Sequence, residues 1–316
     1  MRFGGFLRSL LVCALLVGCG DDDAGVDAGG GRDAGGGGDA SGGSDTGSID
    51  AATGDSAIEE DAGSGVPLVP TLPEVAGDCP DFTQDRIEVM GLPINVLGGG
   101  GTDRGPLVIT WHGTGGSGAT SVAQLTGPVR DAILAEGGMI LAPSDDGTER
   151  GGFSPNGVWY ETSDLAVADQ LVACAVRDRN IDPTRIYVTG CSAGGIMGAV
   201  MTVQRADYVA AAFLNSGGLL FRMPIRSDWA PSVLTMHGGA GDVVVVNFQS
   251  LSNTMTQAVS VAGGTAIDCN HLSGHCRAPN DLRASGWEFV SAQRYGEPSP
   301  FAAGPGPDFP DYCELR

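Results

Sequence analysis

The chain has 316 residues, enough for one large domain or two small ones. It carries 17 basic against 38 acidic side chains, a formal net charge of -21, and every basic residue is arginine. So acidic a chain lacks the basic face that nucleic acid requires, and only its first 19 residues could enter a membrane, which excludes a nucleic-acid binder and a membrane-spanning enzyme.

Arg2 and Arg8 precede a short apolar run, Leu10 to Val17, too short for a bilayer span and suited to the apolar core of an export signal. The run ends in Leu16-Val17-Gly18-Cys19, which resembles the bacterial lipobox. That resemblance implies cleavage before Cys19 and lipidation of Cys19. Residues 1–18 would then be a lipoprotein signal peptide, and the mature chain would be anchored in the cell envelope, at the outer membrane or cell surface. Residues 19–66 read as a disordered tether rich in Gly and Asp. Between residues 20 and 66 there are twelve acidic side chains against one arginine, with Asp21, Asp27, Asp33, Asp39 and Asp45 at a period of six. A solenoid of that period needs an apolar residue in each turn to stack, and the repeat has none. No loop of calcium-ligand spacing is present either. As a flexible coil the segment would span on the order of 35–40 Å.

From residue 67 onward, strands and helices alternate. Arg86 to Val96 reads as two opening strands around Gly91, and Pro106 to His112 as a buried strand followed by a Gly-rich turn and a helix near Ser121 to Ala135. Met139 to Ala142 is a strand, Asp164 to Arg179 a helix with Leu165, Ala168, Leu171, Val172 and Ala175 on one face. Arg185 to Thr189 is a strand, Ala193 to Gln204 its helix, then come strands at Tyr208 to Asn215 and Ser232 to His237. Helices at about Gln249 to Ala262 and Pro279 to Arg294 complete the pattern. Alternation of this kind predicts one α/β domain, 67–316, with a mostly parallel central sheet flanked by helices.

The chemistry is expected at the carboxyl edge of that sheet. Gly190-Cys191-Ser192-Ala193-Gly194 matches G-x-S-x-G, which in a chain with 52 glycines means little without context. The context is a strand ending at Gly190 and a small-residue helix after Ser192, the strand–elbow–helix that raises a serine hydroxyl above a sheet. Earlier, Trp111-His112-Gly113-Thr114-Gly115-Gly116 is a Gly-rich turn able to aim backbone N–H groups at an oxyanion, so Thr114 and Ala193 are the expected donors. Four histidines exist: His112, in that turn; His237, ending a strand; His271 and His275, in the loop before the last helix. Asp242 follows the His237 strand, where an acid that orients a base belongs, and Asp228, before the strand, is the weaker substitute. Cysteines separate the last two histidines. Ser192 is preceded by Cys191 and His275 is followed by Cys276, so a serine–histidine hydrogen bond would bring those cysteines within reach of a disulfide. The bond would close a loop worth about 4 kcal/mol in the chain-entropy model. His271 has no such neighbour and reads as a surface-loop histidine. Cys79–Cys313 and Cys174–Cys269 are the expected remaining pairs.

Cys191-Ser192, Asp242 and His275-Cys276 resemble the cysteine-serine, aspartate, histidine-cysteine arrangement of tannases and feruloyl esterases. The order of His112-Gly-Thr-Gly-Gly, then Ile181 to Gly190 and Ser192-Ala193-Gly194-Gly195, is similar to extracellular polyhydroxybutyrate depolymerases and related carbohydrate esterases, over about residues 79 to 296. The resemblance implies an α/β-hydrolase fold and a secreted serine esterase acting on feruloyl, acetyl or hydroxyalkanoate esters. It departs in one respect: no polymer-binding module is recognised beside the domain, which weighs against a crystalline polymer. Only residues 216–231 separate two strands where large lids are inserted, so no large lid and an open cleft are expected, suited to a polymer-linked ester. Trp159 and Tyr160 could stack on an aromatic or sugar group. No metal and no organic cofactor is implied. The rival readings are a peptidase or thioesterase on the same fold, and a non-catalytic envelope protein that uses the fold for binding.

Overall fold

In the computed structural model the described residues are 68–101, 104–144 and 161–316, all within one unit, Val66–Arg316. The expected signal, Cys19, the tether, Trp159 and Tyr160 lie outside the described residues.

A hairpin, β1 (Arg86–Val89) and β2 (Leu92–Gly98), turns at Met90-Gly91 and opens the sheet. It is followed by β3 (Gly105–Trp111), two short helices α1 (Gly118–Gln124) and α2 (Gly127–Ala135), and β4 (Met139–Pro143). The chain continues through α3 (Glu161–Asp178), β5 (Ile181–Cys191), α4 (Ala193–Gln204), β6 (Ala211–Asn215) and β7 (Ser232–His237). A two-stranded ribbon, β8 (Val243–Val244) and β9 (Val246–Asn247), precedes α5 (Phe248–Val261), β10 (Ala266–Asn270), α6 (Asn280–Ser291) and β11 (Cys313–Leu315). The nine-stranded sheet runs β1-β2-β4-β3-β5-β6-β7-β10-β11. Its six central strands, β4 to β10, are parallel, and β1, β2 and β11 pair antiparallel at the edges.

Successive residues of the central strands point to opposite faces, and two cores result. Leu107, Ile109 and Trp111 of β3 and Ile186 and Val188 of β5 pack with α3, α4 and α5 on one face. Val108 and Tyr187, their neighbours in sequence, pack with α2 and α6 on the other. Both faces of β3 are therefore covered, which is why its residues are buried throughout and why its sequence shows no polar alternation.

The structure corrects several sequence readings. The single helix expected over Ser121 to Ala135 is two, because Leu125 leaves the helical region (ψ 122°) and Thr126 caps a new helix whose first turn contains Pro128. The strand expected from Tyr208 begins at Ala211; the Tyr208 and Val209 N–H groups are held by Arg205 O at the end of α4. The strands β10 and β11 carry no obvious apolar signature in sequence. Asp268 sits in the middle of β10, where its carboxylate accepts bonds from Thr235 Oγ1 at 2.8 Å and Arg316 at 2.6 Å. The two guessed disulfides are also overturned. Cys79 pairs with Cys174, since the segment before β1 lies along α3, where Gln170 receives the Ala76 N–H. Cys269 pairs with Cys313, which stands directly opposite it in the β10–β11 ladder.

Candidate active site

Ser192 occupies the junction of β5 and α4 with φ 59° and ψ -124°, a left-handed conformation that a non-glycine residue holds only when its surroundings fix it. Small neighbours make the turn possible. A Cβ at Gly194 would lie 2.0 Å from the Trp111 carbonyl oxygen and 2.6 Å from that of His112, so α4 can start tight against the end of β3 only with glycine there. Three glycines in twelve residues would disfavour a helix in isolation; close packing on β5 and β6 compensates.

The turn after β3 reaches the serine. A Cβ added to Gly113 would stand 3.3 Å from Ser192 Cβ and 4.0 Å from Oγ. Thr114 follows and is exposed. Ala193, half-buried, begins α4, and a first-turn N–H has no acceptor inside its own helix. The Gly-rich turn and the elbow thus lie side by side.

Asp242 follows β7 through a short 3-10 turn, Gly239–Gly241, and is fully buried. Its Oδ1 is 2.7 Å from His275 Nδ1; its Oδ2 accepts from the Gly238 N–H at 3.0 Å and from Ser216 Oγ at 2.7 Å. Burial pushes this carboxyl up, but the bonds from Gly238, Ser216 and His275 outweigh it and hold the group below its ordinary value. Asp242 is therefore an anion facing the imidazole. Asp228 is exposed in the segment before β7, on the side of Tyr295, and makes no contact with His275.

His275 lies in the loop after β10, about a quarter exposed, with the Phe248 ring tilted against it at 4.5 Å between ring centres. Cys191 and Cys276 form a disulfide with Cα atoms 5.9 Å apart, so the residues flanking Ser192 and His275 are covalently joined. Ser192 Oγ and His275 Nε2 are not hydrogen-bonded in this arrangement; the polar partners of the ring nitrogens are Asp242 and, at 3.7 Å, Cys276 Sγ. Such bonds are commonly long before substrate enters.

The other histidines are buried, and for His271 this corrects the surface-loop reading. His271 packs beneath the loop, its Nδ1 accepting the Ser273 N–H at 3.1 Å, because its own peptide N–H continues the β7–β10 pairing to His237 O. Burial first, and then His237 and Arg283 against the opposing pull of Asp242, push it down to about 4, so it is neutral at pH 7. His237 ends β7 between Asp268 and the Gly239 N–H, which bonds its Nδ1 at 3.0 Å.

Backbone touches backbone where the site's loops meet. A Cβ at Gly238 would fall 2.7 Å from Gly274 Cα, and one at Gly195 2.7 Å from Gly217 Cα. Sequence reasoning missed Ser216, Gly238 and Phe248; only the position of Ser216, one residue beyond a strand that ends beside the elbow, could have pointed to it. Among the described residues no group of three His, Cys, Asp or Glu is placed to hold a metal ion. Residues 216–231, between β6 and β7, contain no helix or strand.

No protein-family model matches this sequence, and neither does any curated protein. Solved structures do match. Native pOPH is 15% identical, with 76% of this chain and 96% of that one covered and a TM-score of 0.57. Native sOPH is 14% identical, with 71% and 90% covered and a TM-score of 0.55. An acetyl xylan esterase from Aspergillus awamori, 14% identical with 65% and 98% covered, has a TM-score of 0.49, too low to argue from. With the strand order described above, the first two matches identify the fold as that of the α/β-hydrolases.

Proposed function

We propose that this chain is an exported carboxylic ester hydrolase that works through an acyl-enzyme on Ser192. The observation that carries the reading is the 2.7 Å bond between Asp242 and His275, on the loops after β7 and β10, with the histidine's loop tied by a disulfide to the residue before Ser192. A buried carboxylate, an imidazole it orients and a serine on a strained elbow form the constellation of nucleophilic acyl transfer, recognised by geometry and not by position in the chain.

In this reading Ser192 Oγ attacks the ester carbonyl carbon while His275 Nε2 takes its proton. The carbonyl oxygen becomes an oxyanion held by the Thr114 and Ala193 N–H groups. Asp242 fixes the tautomer through Nδ1 and stabilises the imidazolium. The intermediate collapses to acyl-serine as His275 returns the proton to the departing alcohol. Water, deprotonated by the same nitrogen, then releases the acid and restores Ser192. Feruloyl, acetyl and hydroxyalkanoate esters are the proposed substrate class. The short β6–β7 connection supports an open cleft able to take a polymer-linked ester.

The test is turnover of a short aryl acetate and of methyl ferulate by the wild type and Ser192→Ala. Hydrolysis lost in the variant is expected, and the ratio of the two rates reports on the acyl pocket. A folded, oxidised wild type without turnover, or a variant with undiminished turnover, would refute the assignment. The lipid anchor on Cys19 is part of the proposal and rests on the lipobox resemblance. It predicts detergent-phase partitioning of the exported protein that Cys19→Ser abolishes; partitioning unchanged in that variant would remove the anchor from the reading.

A further inference from the structure

Ser216 is the first residue after β6, fully buried, and has φ 40°. Its peptide unit and hydroxyl bond to the elbow, to the end of β7 and the Asp242 loop, and to the loop of His275. Its carbonyl oxygen accepts the Ser192 N–H at 3.1 Å, fixing the elbow from below. Its own N–H donates to Met236 O at 2.7 Å, near the end of β7, from which the Asp242 loop departs. Its Oγ is 2.7 Å from Asp242 Oδ2 and accepts the Cys276 N–H at 2.8 Å.

The direction of these bonds follows from chemistry. A peptide N–H can only donate, so the hydroxyl accepts from Cys276 and its single proton is left for the carboxylate. A carboxylate satisfied at Oδ2 by Ser216 and Gly238 presents Oδ1 to His275 Nδ1 and cannot rotate away without breaking two bonds. The same oxygen that holds the acid holds the peptide directly after the base. Retaining a left-handed conformation at a buried serine costs energy, and the surrounding bonds account for its persistence.

We propose that Ser216 is a positioning residue, a side chain that sets the register of the acid against the base while its carbonyl helps to set the nucleophile. The proposal rests on the esterase reading above. Alanine keeps the backbone contacts and removes only the hydroxyl, leaving the Cys276 N–H and one lone pair of Asp242 without partners.

The experiment is a double-substitution cycle on the oxidised full chain with a short aryl acetate: wild type, Ser216→Ala, Asp242→Asn and both together. Ser216→Ala is expected to lower kcat on the order of 10–50-fold with KM within about twofold, because a misplaced base acts on the transition state more than on binding. In the Asp242→Asn background the same change is expected to cost less than about twofold, since the ion it orients is gone. An equal loss in both backgrounds, or a loss confined to KM, would show a merely structural serine and overturn the proposal. Ser216→Gly suits the positive φ and also lacks the hydroxyl, so it stands in if the alanine variant does not fold; if neither folds, the role is structural and the proposal falls. Ser192→Ala separates the two levels. Turnover abolished there but unchanged in Ser216→Ala refutes this proposal alone, whereas turnover that survives Ser192→Ala refutes the esterase reading and this proposal with it.

Discussion

Consider the double substitution Cys191→Ala/Cys276→Ala, which opens a loop of 85 residues. In the chain-entropy model the lost cross-link costs about 4.5 kcal/mol, against about 4.7 and about 4.0 kcal/mol for the corresponding loops of Cys79–Cys174 and Cys269–Cys313. The latter two bonds span 95 and 44 residues, so the three variants should lose nearly the same stability. For a domain of this size that is a fall in Tm of roughly 10–18 °C in each case. Activity should not follow stability. Cys79–Cys174 ties the segment before β1 to α3, and Cys269–Cys313 ties the last two strands at the sheet edge; neither joins the residues beside Ser192 and His275. Releasing Cys191 from Cys276 frees the base loop to drift, and a displacement of about 1 Å in such geometry can cost about 100-fold. We therefore expect kcat on a short aryl acetate to fall on the order of 10–100-fold in this variant and by less than about threefold in the other two. Rates are read at a temperature where all three are folded by near-ultraviolet circular dichroism. Equal losses of kcat in the three variants, or an unchanged kcat without Cys191–Cys276, would refute the idea that the bond aligns the site.

Two further outcomes follow from distances and ionisation. Gly194→Ala places a methyl 2.0 Å from Trp111 O, a backbone atom of β3 that cannot move aside, so the variant is expected in the insoluble fraction on expression; soluble protein with wild-type Tm would contradict the described elbow. Asp268 is held below its ordinary value: burial raises it, and the bonds from His237, Thr235 and Arg316 outweigh that. A carboxyl depressed in the folded state contributes stability above its unfolded value near 3.8 and loses it as pH falls through the lower folded value. Asp268→Asn should accordingly cost roughly 2–3 kcal/mol in urea unfolding at pH 7, with the gap to wild type narrowing below about pH 4. A gap constant down to pH 2.5 would mean that the charge of Asp268 contributes nothing.

The parts of this molecule that could be read from the chain are those whose signal is local. β3, β5, α4 and β7 declare themselves by apolar runs and by the glycines around Ser192, and Asp242 and His275, singled out by their place after a strand and beside a cysteine, lie 2.7 Å apart. Neighbours in space left no such trace. β10 was missed because Asp268 interrupts its apolar pattern, and its compensation comes from Thr235, His237 and Arg316, remote in sequence. With β10 unseen, Cys269 could not be set opposite Cys313, and both remaining disulfides were mispaired. In sequence His271 reads as a surface residue for the same reason, since its burial depends on a strand pairing. Ser216 has no motif at all; its role comes from three segments that converge on it.

The contacts of Gly195 with Gly217 and of Gly238 with Gly274 have a consequence for how such a site could be redesigned. Where main chain lies on main chain, no rotamer exists to absorb a substitution, so the spacing of the three loops is invariant to repacking of their surroundings. Adaptation to a new acyl or alcohol group then has to come from surfaces that meet solvent. The ribbon after Asp242 offers one, since Val243, Val244 and Val245 are each about half exposed, and Leu272 on the neighbouring loop is more so. A library spread over those four positions would vary the solvent-facing surface beside Asp242 and His275 while the main-chain contacts stay on a fixed frame.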